Sequence, residues 1–231
     1  PFGPRLSWRK GDLTASFRLL APALGIALIA AAAILAFTAP RTLFGSGAFA
    51  VAAWLIAASV VDIRARGGQA LRASALASVL AHAGLGVTLL GVAGTTLWRS
   101  EILEVLGPGE STAIAGYTLR FDGVKAAKGP NYDAARATIT VLEDGQTIAV
   151  MHPEKRIYPA EGQDTVETAI RTTIVSDLYL ALGDERDKAR WVVRAYVNPL
   201  APLIWLGALV MALGGFAALW SRLRFPGAAP T

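Results

Sequence analysis

The feature that most constrains this chain is a run of 22 uncharged residues, 76–97, with one histidine inside it. As a helix it extends about 33 Å at 1.5 Å per residue, enough to cross a bilayer. His82 sits within Ala77-Ser78-Val79-Leu80-Ala81-His82-Ala83-Gly84-Leu85-Gly86-Val87. An ionisable side chain at membrane depth faces protein, water or a cofactor, because lipid offers it no partner. Ser78 and Gly86 fall at i−4 and i+4, so small residues flank His82 on its own face and leave room for a flat macrocycle. Gly84, Thr88, Gly91 and Thr95 form a second small-residue stripe, suited to a neighbouring helix. Three roles for His82 stay open on these residues: hydrogen bonding between helices, a proton relay, or ligation of haem iron or another metal.

Three more apolar runs, 19–37, 43–61 and about 201–219, carry the same signature. With 54% hydrophobic residues in 231, the chain is of the membrane class. It has no cysteine, which excludes disulfide, zinc-thiolate, iron–sulfur and cysteine-nucleophile chemistry from its own residues. The net charge of +5 is unevenly spread. Residues 98–200 hold 12 Lys/Arg against 15 Asp/Glu, whereas the remainder holds 10 against 2, placed beside the apolar runs. That asymmetry is the mark of membrane topology and argues against a nucleic-acid partner.

The polar lead, 1–14, contains Gly3-Pro4-Arg5-Leu6-Ser7-Trp8-Arg9-Lys10 and lacks an initiator Met, so a fragment or processed product is expected. Ala36-Phe37-Thr38-Ala39 has the look of a signal-peptidase site. The apolar core before it is too long for an ordinary signal, and more spans follow, so a retained span is expected. Arg5, Arg9, Lys10 and Arg18 flank the first span, Arg64, Arg66 and Arg72 lie between the second and third, and Arg222 and Arg224 follow the fourth. The loop between the first two spans holds only Arg41. Basic residues therefore mark one side as cytoplasmic and put 98–200 on the other, with His82 about 10 Å in from the cytoplasmic end.

The segment 98–200 reads as antiparallel β-structure, with strands expected at 118–124, 137–142, 146–151, 168–175, 178–182 and 191–197. Asp144-Gly145 is a two-residue hairpin turn needing positive φ at both positions. It predicts Val141 opposite Ile148 and Ile139 opposite Val150. No Ser-His-Asp order and no phosphate loop is present, and no residue is assigned a catalytic role. Met151-His152-Pro153-Glu154-Lys155-Arg156-Ile157-Tyr158-Pro159 reads as a charged loop between prolines, a solvated hairpin exit. Glu154, Lys155, Arg156 and Tyr158 are the alternative, a docking surface for a partner. His152 has no second ligand nearby.

Gly3-Pro4-Arg5-Leu6 with Trp8-Arg9, Ala81-His82-Ala83-Gly84, Pro153-Glu154-Lys155-Arg156-Ile157-Tyr158-Pro159, Asp177-Leu178-Tyr179 and Trp191 through Pro199 resemble the C-terminal third of the CcmF family. These are membrane haem lyases of bacterial cytochrome c maturation. The resemblance implies that His82 is one of two intramembrane histidines holding a haem b, which keeps the haem being attached in the ferrous state. It implies an inner-membrane protein with 98–200 in the periplasm. The implied partners are the haem chaperone CcmE, the apocytochrome-presenting CcmH, apocytochrome c and the remainder of CcmF. The family's Trp-rich haem-handling segment, its periplasmic haem-ligating histidines and its second intramembrane histidine have no counterpart here, since the only other histidine is His152. The chain is thus expected to be a truncated piece, a fragment or one product of a split gene, not catalytically competent alone.

The expected fold is an α-helical polytopic membrane protein of four transmembrane helices, with one periplasmic antiparallel β-domain between spans three and four. Its domains are 1–97 (cytoplasmic lead and three spans), 98–200 (β-rich) and 201–231 (fourth span and cytoplasmic tail). The leading function is the C-terminal part of a haem lyase, with His82 as axial ligand to haem b and Ser78 and Gly86 on the same helix face. The alternative is a non-catalytic scaffold that docks partners, with His82 as helix glue. A proton-coupled transporter component ranks third, because Asp62 is the one acidic residue close to a span and lies at a helix end.

Overall fold

The computed structural model describes residues 13–37, 43–68, 73–160, 162–187 and 189–224. The motif Gly3-Pro4-Arg5-Leu6 with Trp8-Arg9, the end of the signal-peptidase-like stretch, Arg41 and Arg72 lie outside them. The chain divides into two compact units, a helical one and a β-domain of Trp98–Pro199.

Among the described residues, four helices make the first unit: α1 (Leu13–Phe37), α2 (Leu43–Arg66), α3 (Ala73–Trp98) and α4 (Ala201–Arg224). Each contains an apolar stretch of 21–24 residues, long enough to span a membrane. Pro22 lies inside α1. Leu20 and Ala23 of α1 pack with Ala58 of α2, backed by Trp54, Ala57 and Val61. The hydroxyls of Ser46, Ser59, Thr95 and Thr96 donate to carbonyls of the preceding turn, so they need no water at membrane depth. Large apolar side chains point outward, Trp205 being 75% and Phe216 68% exposed. A surface of that kind is a lipid-facing one.

The second unit is a sandwich of two antiparallel sheets. Its strands are β1 (Ser100–Leu106), β2 (Ser111–Ile114), β3 (Tyr117–Lys128), β4 (Asp133–Glu143), β5 (Gln146–Met151), β6 (Glu154–Tyr158), β7 (Gln163–Glu167), β8 (Ala169–Thr172), β9 (Ser176–Glu185) and β10 (Trp191–Pro199). One sheet has the order β1-β10-β9-β8 and the other β2-β3-β4-β6-β7, with β5 also paired to β4. Phe121, Leu119, Ile139 and Val141 of one sheet meet Leu178, Leu180, Leu182 and Val193 of the other, all fully buried. Alternation of buried and part-buried residues along β9 and β10 supplies this face.

The Asp144-Gly145 turn forms as the sequence predicts, with φ of 50° and 76°, and Glu143 pairs with Gln146. The register beyond it is corrected by one residue. A bulge follows the pair Leu142–Thr147, so Val141 faces Ala149 and Ile139 faces Met151, not Ile148 and Val150. The extra residue turns Met151 into the core and leaves Val150 half exposed. The shifted register then continues into β6, where Arg136 pairs with Glu154 and Asp133 with Ile157.

The charged loop expected between the prolines is therefore corrected to a strand. β5 and β6 run along the same edge of β4, interrupted at His152-Pro153, where the Ala137 N–H still donates to the Pro153 carbonyl at 2.9 Å. Proline and four polar residues hid a strand whose pairing comes from its neighbour. The strand expected over 168–175 is shorter, because Thr173 closes a turn onto Ser176.

Candidate functional site

His82 lies on α3 about 14 Å from the start of that helix and about 24 Å from its end, at 1.5 Å per residue. Its Nδ1 is 2.8 Å from the carbonyl oxygen of Ser78. A carbonyl only accepts, so Nδ1 donates here, and in the neutral ring the lone pair is then on Nε2. Ser78 thus contributes its backbone, one turn back, and fixes the tautomer that a metal-bound histidine requires. Among the described residues, the one hydrogen bond of the ring stays inside its own helix.

Gly86 does not behave as the sequence suggests. It is buried, and a Cβ built there would stand 2.8 Å from Ile56 Cγ1 and 3.0 Å from the Ala52 carbonyl. The expectation of an open porphyrin floor at Gly86 is corrected: this glycine admits α2. The reason is that a small residue on a helix reads the same whether a cofactor or a neighbouring backbone fills the space. The open side of α3 next to His82 is instead marked by Ala81 and Leu85, the latter 41% exposed.

The second stripe does receive a helix. A Cβ on Gly84 would fall 2.7 Å from the Gly207 carbonyl, and one on Gly91 would fall 2.8 Å from the Ile204 nitrogen. α3 is thereby held on two sides, by α2 at Gly86 and by α4 at Gly84 and Gly91. Asp62, the acidic residue that a proton-coupled transporter would need, is tied to Arg66 at 2.8 Å one turn further on.

In the β-domain, Glu154 is only 5% exposed. Burial works against its charge, but hydrogen bonds from Arg156 at 2.8 Å and Arg136 at 2.5 Å outweigh that and hold its carboxyl below the usual range. Arg156 also lies 4.4 Å above the Tyr132 ring, and Tyr132 meets Tyr158 at 5.5 Å between centroids. Hydrogen bonds to Glu154 raise the guanidinium of Arg156 above its ordinary value. Lys155 bridges Asp184 of the other sheet and Asp164 of β7, the latter at 2.9 Å, and these partners raise its pKa. Arg136 and Tyr132 went unseen in the sequence, because only the β4–β6 register brings them to Glu154 and Arg156. His152 bonds the Ala137 carbonyl at 3.2 Å on the outer surface. No group of three metal-ligating side chains occurs among the described residues.

A polytopic membrane protein with a β-sandwich carried between its last two spans, and an oriented intramembrane histidine, is the class defined by this architecture. A family model described as the CcmF C-terminal beta-sandwich matches residues 97–199. The cytochrome c-type biogenesis protein CycK of Bradyrhizobium diazoefficiens is 36% identical over 235 residues, covering 96% of this chain and 36% of CycK. The cytochrome c-type biogenesis protein ccl1 of Rhodobacter capsulatus is 34% identical over 228 residues, covering 96% of this chain and 35% of ccl1. A solved structure, Cytochrome c Heme Lyase CcmF, shares the fold with a TM-score of 0.74 at 23% identity, over 95% of this chain and 37% of that one. The chain belongs to the CcmF family of cytochrome c-type biogenesis proteins and corresponds to its C-terminal part. It spans about a third of the length of the curated relatives it matches.

Proposed function

We propose that this chain serves as the C-terminal part of a membrane haem lyase in cytochrome c maturation, with His82 as one axial ligand of a haem b. The observation that carries the reading is the hydrogen bond that orients the ring: Nδ1 donates to the Ser78 carbonyl at 2.8 Å, so in the neutral ring Nε2 offers its lone pair inside a span. The donor set fits one side of a haem iron, since an imidazole whose other nitrogen donates to a backbone carbonyl is what such a ligand needs. A second ligand to such a haem would come from another part of the protein or from another chain. When bound, the group supplies one-electron chemistry. This chain's part is to hold Nε2 in place and to give the macrocycle the apolar side of α3 marked by Ala81 and Leu85. Gly86 acts one step behind, by letting α2 set the helix that carries His82.

The membrane is the bacterial inner membrane and the β-domain lies in the periplasm, a reading supported by the basic residues Arg64, Arg66, Arg222 and Arg224 at the opposite helix ends. There the domain works with CcmE, CcmH and apocytochrome c. Glu154 is committed to holding Arg136 and Arg156, so it shapes the surface that Lys155, Arg156 and Tyr158 present.

The test is His82→Ala in the intact lyase. The b-type Soret spectrum should be lost or shifted and cytochrome c maturation sharply reduced, with membrane insertion unchanged. His152→Ala should leave the spectrum as it is. A normal Soret band and full maturation in the His82→Ala protein would return His82 to helix glue and leave a non-catalytic scaffold.

A further inference from the structure

The most exposed apolar side chains of the β-domain are gathered at one hairpin tip. Ile174 is 89% and Val175 62% exposed, in the turn between β8 and β9. Isolated exposed apolar residues need no account, but two adjacent ones on a built turn do. The turn is well made. The Thr173 N–H donates to the Ser176 carbonyl at 2.9 Å, and the Thr173 hydroxyl donates to that same carbonyl at 2.8 Å. The same hydroxyl accepts from the N–H groups of Val175 at 3.3 Å and Ser176 at 3.0 Å. The N–H groups of Thr173, Val175 and Ser176 are thus paired within the turn, which lowers the cost of bringing the tip into an apolar layer.

The register says which end of the sheet this is. Ser176 is the partner of Pro199, the last residue of β10, and α4 begins at Ala201. Ser100, the first residue of β1, pairs with Val197 and follows directly on α3. Both connections to membrane spans therefore leave from the end of the sheet at which the Thr173–Ser176 turn lies. The tip extends past Ser176 by about one residue of strand, roughly 3 Å. Near the same end, Tyr179 and Tyr196 meet at 5.6 Å and Arg99 lies 5.5 Å from the Tyr196 ring, the residue types that gather at membrane interfaces. Residues 170–177 carry one Arg and one Asp, so no net charge keeps the tip in water.

We propose that the β8–β9 turn is a membrane-surface anchor, with Ile174 and Val175 inserted at the boundary between lipid headgroups and acyl chains. Besides the two covalent connections, it gives the β-domain a third attachment to the bilayer and limits its tilt. The anchor works on whichever side of the membrane the domain stands and does not involve the haem.

The chain has no cysteine, so single labels report alone. Ile174→Cys, Val175→Cys and, as a water-facing control, Val150→Cys are made in the full chain, spin-labelled and placed in phosphatidylcholine/phosphatidylglycerol nanodiscs. Relaxation by oxygen is compared with relaxation by a water-soluble nickel chelate. The oxygen-to-nickel accessibility ratio should be severalfold higher at 174 and 175 than at 150. A ratio equal to that at 150 would put the tip in water and overturn the proposal. Low accessibility to both reagents would also overturn it, by showing the tip covered by protein.

Discussion

The two units hold themselves together by opposite means. In the β-domain the tightest places are the largest side chains: Phe121, Leu119, Ile139 and Leu180 have almost no exposed surface. In the helical unit the tightest places are the smallest residues, where Gly84 and Gly207 bring two backbones together. The solvent explains the contrast. Water drives apolar groups of the β-domain into a common core, whereas lipid is as apolar as leucine and gives no such drive. Helices in lipid associate by close packing, so their large side chains are free to face outward, as Trp205, Phe216 and Trp220 do. One chain is thus sensitive to enlargement in one region and to truncation in the other.

The sharpest way to break this comparison is a reciprocal pair of variants. Gly207→Leu puts a side chain where a Cβ alone would already lie 2.5 Å from the Gly84 carbonyl and from the Thr88 nitrogen. Backbone cannot give way there, so the α3–α4 contact should be lost outright and the detergent-solubilised chain should lose its heat resistance. Phe121→Ala empties the middle of the sandwich and should cost the β-domain about 3–5 kcal/mol. Urea titration followed by tryptophan fluorescence measures that loss. Each variant should spare the other unit, and a common unfolding transition in both would contradict the division.

The same contrast explains what the sequence disclosed. Spans were legible because lipid demands about 20 apolar residues in a row, a signal that needs no partner. Strands β3, β9 and β10 were legible because each alternates over a half-buried face. β7 was not, since all but Glu167 of its five residues are exposed and it has no apolar face to show. β6 was hidden by Pro153 and its charges, and its place comes from the register of β4. The bulge before Val141 escaped for a similar reason: the local pattern fixes a turn, while core filling by Met151 selects the register past it. At the site, His82 stood out by being ionisable in a span. Which of its flanks was open did not, because Gly86 makes room equally for a macrocycle or for α2.

A smaller effect sharpens the picture of the β-domain, where a carboxylate is buried and held by two arginines. Burial disfavours the Glu154 carboxylate, and hydrogen bonds from Arg156 and Arg136 more than offset it, so its folded pKa is depressed. Its contribution is therefore present above the unfolded value and lost as pH falls through the folded one. Glu154→Gln should cost about 1–2 kcal/mol at neutral pH, the value of charge-assisted bonds discounted for the half-exposed Arg136. The difference from the parent should vanish in acid, below the ordinary carboxylate range. Urea midpoints across pH check this, and a constant difference would show that packing, not charge, is what Glu154 supplies.

The smallest effect belongs to a glycine of the other kind. Gly84 and Gly207 are glycines because a neighbour occupies the space of a side chain, but a Cβ on Gly145 would meet nothing within 4 Å. What Gly145 supplies is its φ of 76°, which closes the two-residue turn after Asp144. Gly145→Ala should therefore cost about 1 kcal/mol, the strain of a left-handed conformation for a side chain that clashes with nothing. Asn tolerates that conformation better, so Gly145→Asn should cost less than Gly145→Ala although it is the larger residue. At Gly84 the order should be the reverse, with cost rising with side-chain size. Urea midpoints of the two Gly145 variants decide the point: an Asn variant weaker than the Ala variant would mean that space, not backbone angle, governs glycine in the β-domain as well.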